Sequence, residues 1–281
     1  MRPFVSPRLR EALLEGVRSA GEEVLAVYRR PFEVETKADE SPLTEADLAA
    51  HRALTALLAG LTPEVPVLSE ESAEVPYATR RAWHRYWLVD PLDGTKEFVR
   101  RNGEFTLNLA LVEEGVPVFG IVHAPVPGIL WYGQLGQGAV RLDAAGCWSI
   151  RVRPLPDPDL RPWRVVGSRV HGVEAFEGFC ARLPRHERVS LGSSLKLCRV
   201  AEGGADLYPR LAPTCEWDTA AAQAVVTAAG GQVLEARTLR PLRCNRGESL
   251  LNPSFVVCGQ RDPRWERALA DSLAACDPPE A

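Results

Sequence analysis

The stretch WLVDPLDGT (87–95) ends an apolar run with two carboxylates, Asp90 and Asp93, and then turns. Other acids stand at comparable places. Glu70 and Glu71 close the apolar run Pro66-Val67-Leu68, and Asp218 opens a helical-looking segment in CEWDTAA (215–221). Strand ends and helix starts are where α/β proteins gather their sites. Carboxylates brought together without a compensating cation repel one another. A hard divalent ion such as Mg²⁺, which takes oxygen ligands and keeps several waters, resolves that repulsion. Pro91 and Gly94 suit a tight turn that puts both Asp side chains, and a backbone carbonyl between them, on one side. Each acid taken alone also has an ordinary reading: Asp before Pro or Gly is a turn signal, and Asp218 is a natural helix N-cap. Spacing along the chain does not by itself bring these groups together.

The elements that must position them are legible in part. Residues 8–28 carry Leu9, Ala12, Leu13, Val17, Ala20, Val24, Leu25 and Tyr28, the spacing of an amphipathic helix. Residues 33–42 read as a polar extended connection. TEADLAAHRALTALLAGL (44–61) reads as a second helix, with Thr44 as N-cap and Asp47 where a capping-box acid stands. Short strands are expected at 66–69 and 87–90, and a turn or short helix at 94–101. FTLNLALV (105–112) and 116–126 should form a hairpin broken at Glu113-Glu114-Gly115. Further short strands follow to about residue 153.

PLPDPDLRP (154–162), with four prolines, is the best candidate boundary. It divides the chain into an N-terminal α+β subdomain, 1–153, and a C-terminal α/β subdomain, 154–281. Beyond it, strands are expected at 164–168, 205–208, QVLEA (232–236) and SFVVCG (254–259), and helices at 172–183, 194–202 and 219–229. Strands and helices alternate around a central meander, so the fold class is a layered α+β or α/β arrangement of mixed sheet and helices.

Composition bounds the function. The chain has 281 residues and a formal net charge of −4, so no global positive field attracts a nucleic-acid polymer. Seven scattered cysteines with no CxxC pattern read as reduced thiols of a cytosolic protein. No signal-peptide core and no run of about 18 apolar residues occurs, so no membrane span is expected. Arg80 and Arg81 read as a solvated face, and Trp87 and Trp217 as packing.

WLVDPLDGTKEF with VLSEES (67–72) upstream and EWDTAA (216–221) downstream resembles the inositol monophosphatase superfamily of Mg²⁺-dependent, lithium-sensitive phosphatases. GTKEFVRRNGEFTLNLALV (94–112) and SLGSSLKLCRVAEGGADLYPR (190–210) are similar to its 3′(2′),5′-bisphosphate nucleotidase branch. Inositol phosphatases usually carry Asn-Phe after D-G-T, where this chain has Lys96-Glu97-Phe98. The resemblance runs from about residue 8 to residue 259.

It implies the αβαβα sandwich of that superfamily. It also implies two or three Mg²⁺ ions on Glu70, Asp90, the Leu92 carbonyl, Asp93 and Asp218, with Glu71 a candidate for an extra metal or water contact. Thr95 and Asp47 would orient the attacking water, and Glu70 counts with them in the catalytic group. Asp47 keeps its competing reading as a capping acid. Gly94, Thr95, His171, Ser193, Lys196, Arg210 and Asp218 would contact substrate, the cations among them holding a phosphate that is not cleaved. SRVH (168–171) carries Val170 where the branch often has Ser.

The implied activity is hydrolysis of adenosine 3′,5′-bisphosphate to AMP and phosphate, with its sulfated relative PAPS as a second substrate. The implied role is recycling a by-product of sulfate activation. The alternative is an inositol-1-phosphate or related sugar monophosphatase on the same fold. A small nucleotide is the expected partner, in a monomer or homodimer that is cytoplasmic or peripheral at the inner face of the cell membrane.

Overall fold

A computed structural model describes residues 4–36, 42–72, 74–168 and 172–276. Helix α1 (Pro7–Tyr28) starts with Pro7 in its first turn and with the Ser6 hydroxyl accepting from the Leu9 amide at 3.2 Å. These are ordinary start signals. Strands β1 (Val34–Thr36) and β2 (Pro42–Thr44) pair antiparallel, where an extended connection was expected. Helix α2 (Glu45–Leu61) follows with a complete capping box between Thr44 and Asp47. Then come β3 (Val67–Ser69), the short α3 (Tyr77–Arg80), β4 (Arg85–Asp93), the one-turn α4 (Thr95–Val99), β5 (Thr106–Glu113), β6 (Val116–Ala124), β7 (Ile129–Gln134), β8 (Gly138–Asp143) and β9 (Gly146–Ile150). Strands β3 to β9 form one seven-stranded sheet in chain order, antiparallel except for β3 beside β4.

Residues 151–162 carry no helix or strand. After them come β10 (Trp163–Gly167), α5 (Val173–Cys180), β11 (His186–Ser190), α6 (Leu195–Ala201), β12 (Leu207–Arg210), α7 (Ala220–Ala228), β13 (Gln232–Glu235), β14 (Phe255–Cys258) and α8 (Pro263–Cys276). The second sheet has five strands in the order β11-β10-β12-β14-β13.

Side-chain alternation explains the layering. Along β4, Trp87 and Val89 enter the core under α1 and α2, while Tyr86 and Leu88 enter the core shared with α6 and α7. Along β5, Leu107, Leu109 and Leu111 join the first core, and Ala110 and Val112 the second. The second core continues into the five-stranded sheet through Tyr208, Val233, Phe255 and Val257. A third core, including Trp163, Phe179, Val256, Trp265 and Leu269, packs α5 and α8 on the far face. The result is five layers, αβαβα, matching the fold class expected from the resemblance.

Besides β1 and β2, three elements were not anticipated. β11 is an edge strand, HERVS, whose charges protect an unpaired edge and hide the apolar alternation that marks a buried strand. α8 does carry a helical signal, Trp265 and Leu269 four apart, both buried. α3 is a single turn too short for periodicity to show. The strand expected at 205–208 lies at Leu207–Arg210.

Arg80 corrects the solvated-face reading. It is only 1% exposed, donates to Asn245 Oδ1 at 2.5 Å and to the Glu248 carbonyl, and packs over the Tyr77 ring. Arg81 is exposed as expected. Trp87 is packing: fully buried, with its indole N–H donated to Thr62 Oγ1 at 2.9 Å. Cys147, Cys180, Cys198, Cys244 and Cys258 are free thiols. Among the described residues no helix is long and apolar enough to cross a membrane.

Helix α7 lies directly on the large sheet because glycines face it. A Cβ at Gly120 would stand 2.1 Å from the Ala221 carbonyl oxygen, and one at Gly133 would stand 2.6 Å from the Val225 Cα. Both obstacles are backbone, which cannot rotate aside. Gly120→Ala is therefore expected to destabilise the protein by about 1–3 kcal/mol or more, read as a lowered midpoint of urea unfolding at unchanged slope.

Candidate active site

Asp90 and Asp93 are three residues apart, a spacing that points to opposite faces of a regular strand. The pairing of β4 with β5 runs Asp90↔Asn108 and then Asp93↔Thr106, so three steps on β4 match two on β5. The extra residue is a β-bulge. It returns Asp93 to the face of Asp90, the one turned toward α6 and α7. The Leu92 amide donates to Asp90 Oδ1 at 3.0 Å, which ties the bulge to the acid it displays. Gly94 then takes a left-handed conformation, φ +91°, that L side chains rarely adopt. It also lies close to Glu104 and Ser193, where a Cβ would meet the Glu104 carbonyl oxygen at 3.2 Å.

Thr95 follows at the start of α4. Its hydroxyl lies 3.2 Å from Asp47 Oδ1 and 3.2 Å from the Leu92 carbonyl. Asp47 is buried at the start of α2, and its other oxygen accepts from the Thr44 amide at 2.8 Å and the Thr44 hydroxyl at 2.7 Å. The capping role and the approach to Thr95 coexist, one on each carboxylate oxygen.

Asp93 Oδ2 accepts from the Ser193 hydroxyl at 2.9 Å and from the Ser194 amide at 2.6 Å. Asp218 stands in the turn before α7, where its Oδ2 accepts from the Cys215 amide at 2.9 Å. Lys196, buried on α6, donates to the Ser193 carbonyl at 2.7 Å and lies 5.7 Å over the Tyr208 ring. Arg210 donates to the Pro213 carbonyl, and its Nε is buried without a hydrogen-bond partner.

A cavity of about 260 Å³ is lined by Asp93, Gly94, Thr95, Ser193, Lys196, Arg210 and Asp218, together with Glu97, Ser168 and Tyr208. Seven of the expected residues thus line one cavity. Asp90 and Asp47 are buried; Glu70 and Glu71 are half-buried at the end of β3. Glu70 is near enough for its charge to act on both Asp90 and Asp218, whereas Glu71 acts on the His51 imidazole. His171 lies outside the described residues.

Thr106, Asn108, Ser194, Glu97 and Tyr208 were not anticipated. Asn108 and Thr106 did leave a signal, two polar residues on one face of an otherwise apolar strand. Ser194 was hidden beside Ser193, because nothing in Gly-Ser-Ser separates a pocket hydroxyl from one turned inward.

Burial and mutual repulsion set the electrostatics of these acids. Burial raises the Asp90 carboxyl well above the ordinary carboxylate range, and the charges of Glu70, Asp93 and Asp218 raise it further. Its Oδ2 is buried with no hydrogen-bond partner. Burial, then the Asp93 charge, pushes Asp218 up to about 8. Among the described residues no three acidic, imidazole or thiol side chains form a complete ligand cage by themselves. An orphaned carboxylate oxygen, an all-oxygen donor set and mutual repulsion nevertheless fit a hard divalent cation that takes the rest of its shell from waters or substrate. Burial pulls Lys196 the other way, down to about 8, against the charges of Asp93, Glu97 and Asp218.

Comparison with known proteins agrees with this architecture. Residues 8–275 match the model of the inositol monophosphatase family, and the chain belongs to that family. The 3′(2′),5′-bisphosphate nucleotidase CysQ of Salmonella typhimurium LT2 is 46% identical over 249 residues, 88% of this chain and 98% of that protein. Its namesake from Escherichia coli K12 is 47% identical over 242 residues, 85% of this chain and 95% of that one. The crystal structure of CysQ from Bacteroides thetaiotaomicron superposes with a TM-score of 0.78 at 40% identity, covering 89% and 97% of the two chains. The Thermotoga maritima IMPase reaches the same 0.78 at 24% identity, covering 96% and 99%, a likeness of fold.

An acid with a raised folded-state pKa stays protonated in the folded chain where the unfolded chain has ionised. The stability of metal-free protein should therefore fall as pH rises from about 4 toward 8, the span between the ordinary and the folded value for Asp218. Thermal melts in chelator across that range check this, and Asp218→Asn should flatten the slope.

Proposed function

We propose that this chain is a Mg²⁺-dependent phosphatase that hydrolyses adenosine 3′,5′-bisphosphate to AMP and phosphate, with the sulfated analogue PAPS as a second substrate. The observation that carries this reading is a single cavity lined by both acids and cations. Asp93 and Asp218 line it, in the field of Glu70 and Asp90, and so do Lys196 and Arg210. A substrate with one phosphate to lose on the acids' metal and a second to keep on the cations matches that mixed lining. The names and extents of similarity of the CysQ relatives support the same substrate.

Glu70, Asp90, the Leu92 carbonyl, Asp93 and Asp218 would hold two or three Mg²⁺ ions. Bound there, the metal supplies charge neutralisation at the transferring phosphoryl group and a lowered pKa for water. The residues supply the rest. Asp47 accepts the Thr95 hydroxyl hydrogen at Oδ1, which leaves the Thr95 oxygen free to accept from the attacking water and aim its lone pair at phosphorus. The new bond joins that water oxygen to phosphorus, the bond from phosphorus to the ribose 3′ oxygen breaks, and a proton passes to the departing ribose oxygen. Lys196 and Arg210 bind the phosphate that stays. Ser193, whose hydroxyl is turned toward Asp93, contributes to the wall of the cavity and to Asp93 at once. In this reading 1–153 brings the hydrolytic group and most of the acids, and 154–281 brings Asp218 and the phosphate-holding cations. The enzyme works on a small nucleotide in the cytoplasm.

The deciding measurement is phosphate release from adenosine 3′,5′-bisphosphate, PAPS, AMP and inositol 1-phosphate, with and without Mg²⁺ and Li⁺. A higher kcat/KM on inositol 1-phosphate would overturn the substrate assignment, and no release from any of them would overturn the enzymatic one. Asp93→Asn should lower kcat on the order of 100-fold or more by removing ligand charge. Lys196→Ala should raise KM for the bisphosphate about 10- to 100-fold, the worth of a charged hydrogen bond, and raise it much less for a monophosphate. Lys196 is cationic below its value of about 8 and neutral above it. kcat/KM for the bisphosphate should therefore fall as pH rises through that value, with the limb absent in Lys196→Ala.

A further inference from the structure

Asn108 is 1% exposed in the middle of β5, where an amide is costly unless every polar atom is answered. It stands directly across from Asp90 in the β4–β5 ladder. Its Oδ1 accepts from the Thr106 hydroxyl at 3.1 Å, and its Nδ2 donates to Ser194 Oγ at 3.0 Å and reaches Asp93 Oδ2 at 3.4 Å. The amide is oriented by these neighbours, since the reverse placement would set its oxygen against a carboxylate oxygen. Because Ser194 Oγ receives the Asn108 hydrogen, its own hydrogen goes on to the Asp218 carbonyl at 2.6 Å. The Ser194 backbone amide meanwhile donates to Asp93 Oδ2 at 2.6 Å. One residue from the second half of the chain thus holds both Asp93 and the turn carrying Asp218, and Asn108 fixes that residue from the first half.

We propose that Asn108 is a positioning residue for the cation site: through Ser194 it sets the orientation of the Asp93 carboxylate and of the Asp218 turn, and so the affinity of the site for a divalent ion. The proposal rests on the reading of Asp93 and Asp218 as metal ligands given above. An amide suits this position for a further reason. It is a neutral donor facing a group of acids, whereas an aspartate of the same shape would add a charge and have no hydrogen to offer either Ser194 or Asp93. Partners one step removed from a metal carry an effect of about 10- to 100-fold in affinity when removed.

The test is Mn²⁺ binding to the metal-stripped full chain without substrate, followed by the electron paramagnetic resonance signal of free Mn²⁺. Wild type, Asp93→Asn, Asn108→Leu and Ser194→Ala are compared, with thermal melts in chelator to confirm folding. Asn108→Leu, which keeps the bulk and removes the hydrogen bonds, is expected to weaken Mn²⁺ binding about 10- to 100-fold. It should also recover kcat at saturating metal, a rescue that a general loss of stability would not give. Ser194→Ala should weaken binding in the same direction, and it decides the matter alone if the Asn108 variant does not fold. Wild-type Mn²⁺ affinity in a folded Asn108→Leu, or in Ser194→Ala if only that variant folds, with affinity lost in Asp93→Asn, would overturn the positioning role. Wild-type affinity in Asp93→Asn would instead remove the ligand assignment, and this inference with it.

Discussion

The constraint on which the rest of the structure depends is the cost of keeping several like charges buried in one place. Burial first, and then the charges of the neighbouring acids, hold Asp90 and Asp218 far above the ordinary carboxylate range. A chain cannot retain such a group for stability alone, since burying an unpaired charge is among the most expensive things a fold can do. The surroundings answer as much of the cost as a protein can. Backbone amides of Leu92, Ser194 and Cys215 each point at one of the acids. What they leave is an orphaned oxygen on Asp90 and a field that favours a cation.

That arrangement needs two halves of the chain to meet closely. Asp90 and Asp93 end a strand of the large sheet, while Asp218 stands in the turn before α7 and Ser194 precedes α6. The glycines at 120 and 133 let α7 sit against the sheet with backbone touching backbone, which brings its first turn to the ends of β4 and β5. The same α6–α7 layer fills the core between the sheets, so packing and site geometry are one structural fact. Arg80, buried and bonded to the loop containing Asn245 and Glu248, ties the two halves on another side. The Asn245 amide in turn donates to both oxygens of Glu216, two residues before Asp218.

Much of the fold was legible because periodicity reports burial. α1, α2, α7 and strands β3 to β6 carry apolar residues at helical or alternate spacing, and each was readable within a few residues of its ends, whereas β7 to β9 were legible only as further short strands. What escaped has physical reasons. β11 carries charge because it is an edge. Arg80 is buried through partners more than 160 residues away, which no local pattern reveals. At the site, the acids stood out as charged residues ending apolar runs. Asn108, Thr106 and Ser194 did not, because an uncharged polar side chain is ambiguous until its neighbours are known.

By itself, the sequence determined which groups the protein has to work with. Five acids close apolar runs or open helices, a Gly-Thr follows the second of a pair of aspartates, and a lysine and an arginine stand in the second half, all set in a chain patterned for layered sheets and helices. Family membership was legible from the same residues. Tertiary structure alone decided how those groups face one another. Three-residue spacing in a strand should have placed Asp90 and Asp93 on opposite sides, and a single bulged residue put them on the same one. Tertiary structure also decided that Asp47 serves its helix with one oxygen and Thr95 with the other, and that Ser193 turns toward Asp93. The reason is common to all three. A residue's type and position define what it can donate, accept or repel, but which of those capacities is used depends on partners brought in from distant parts of the chain.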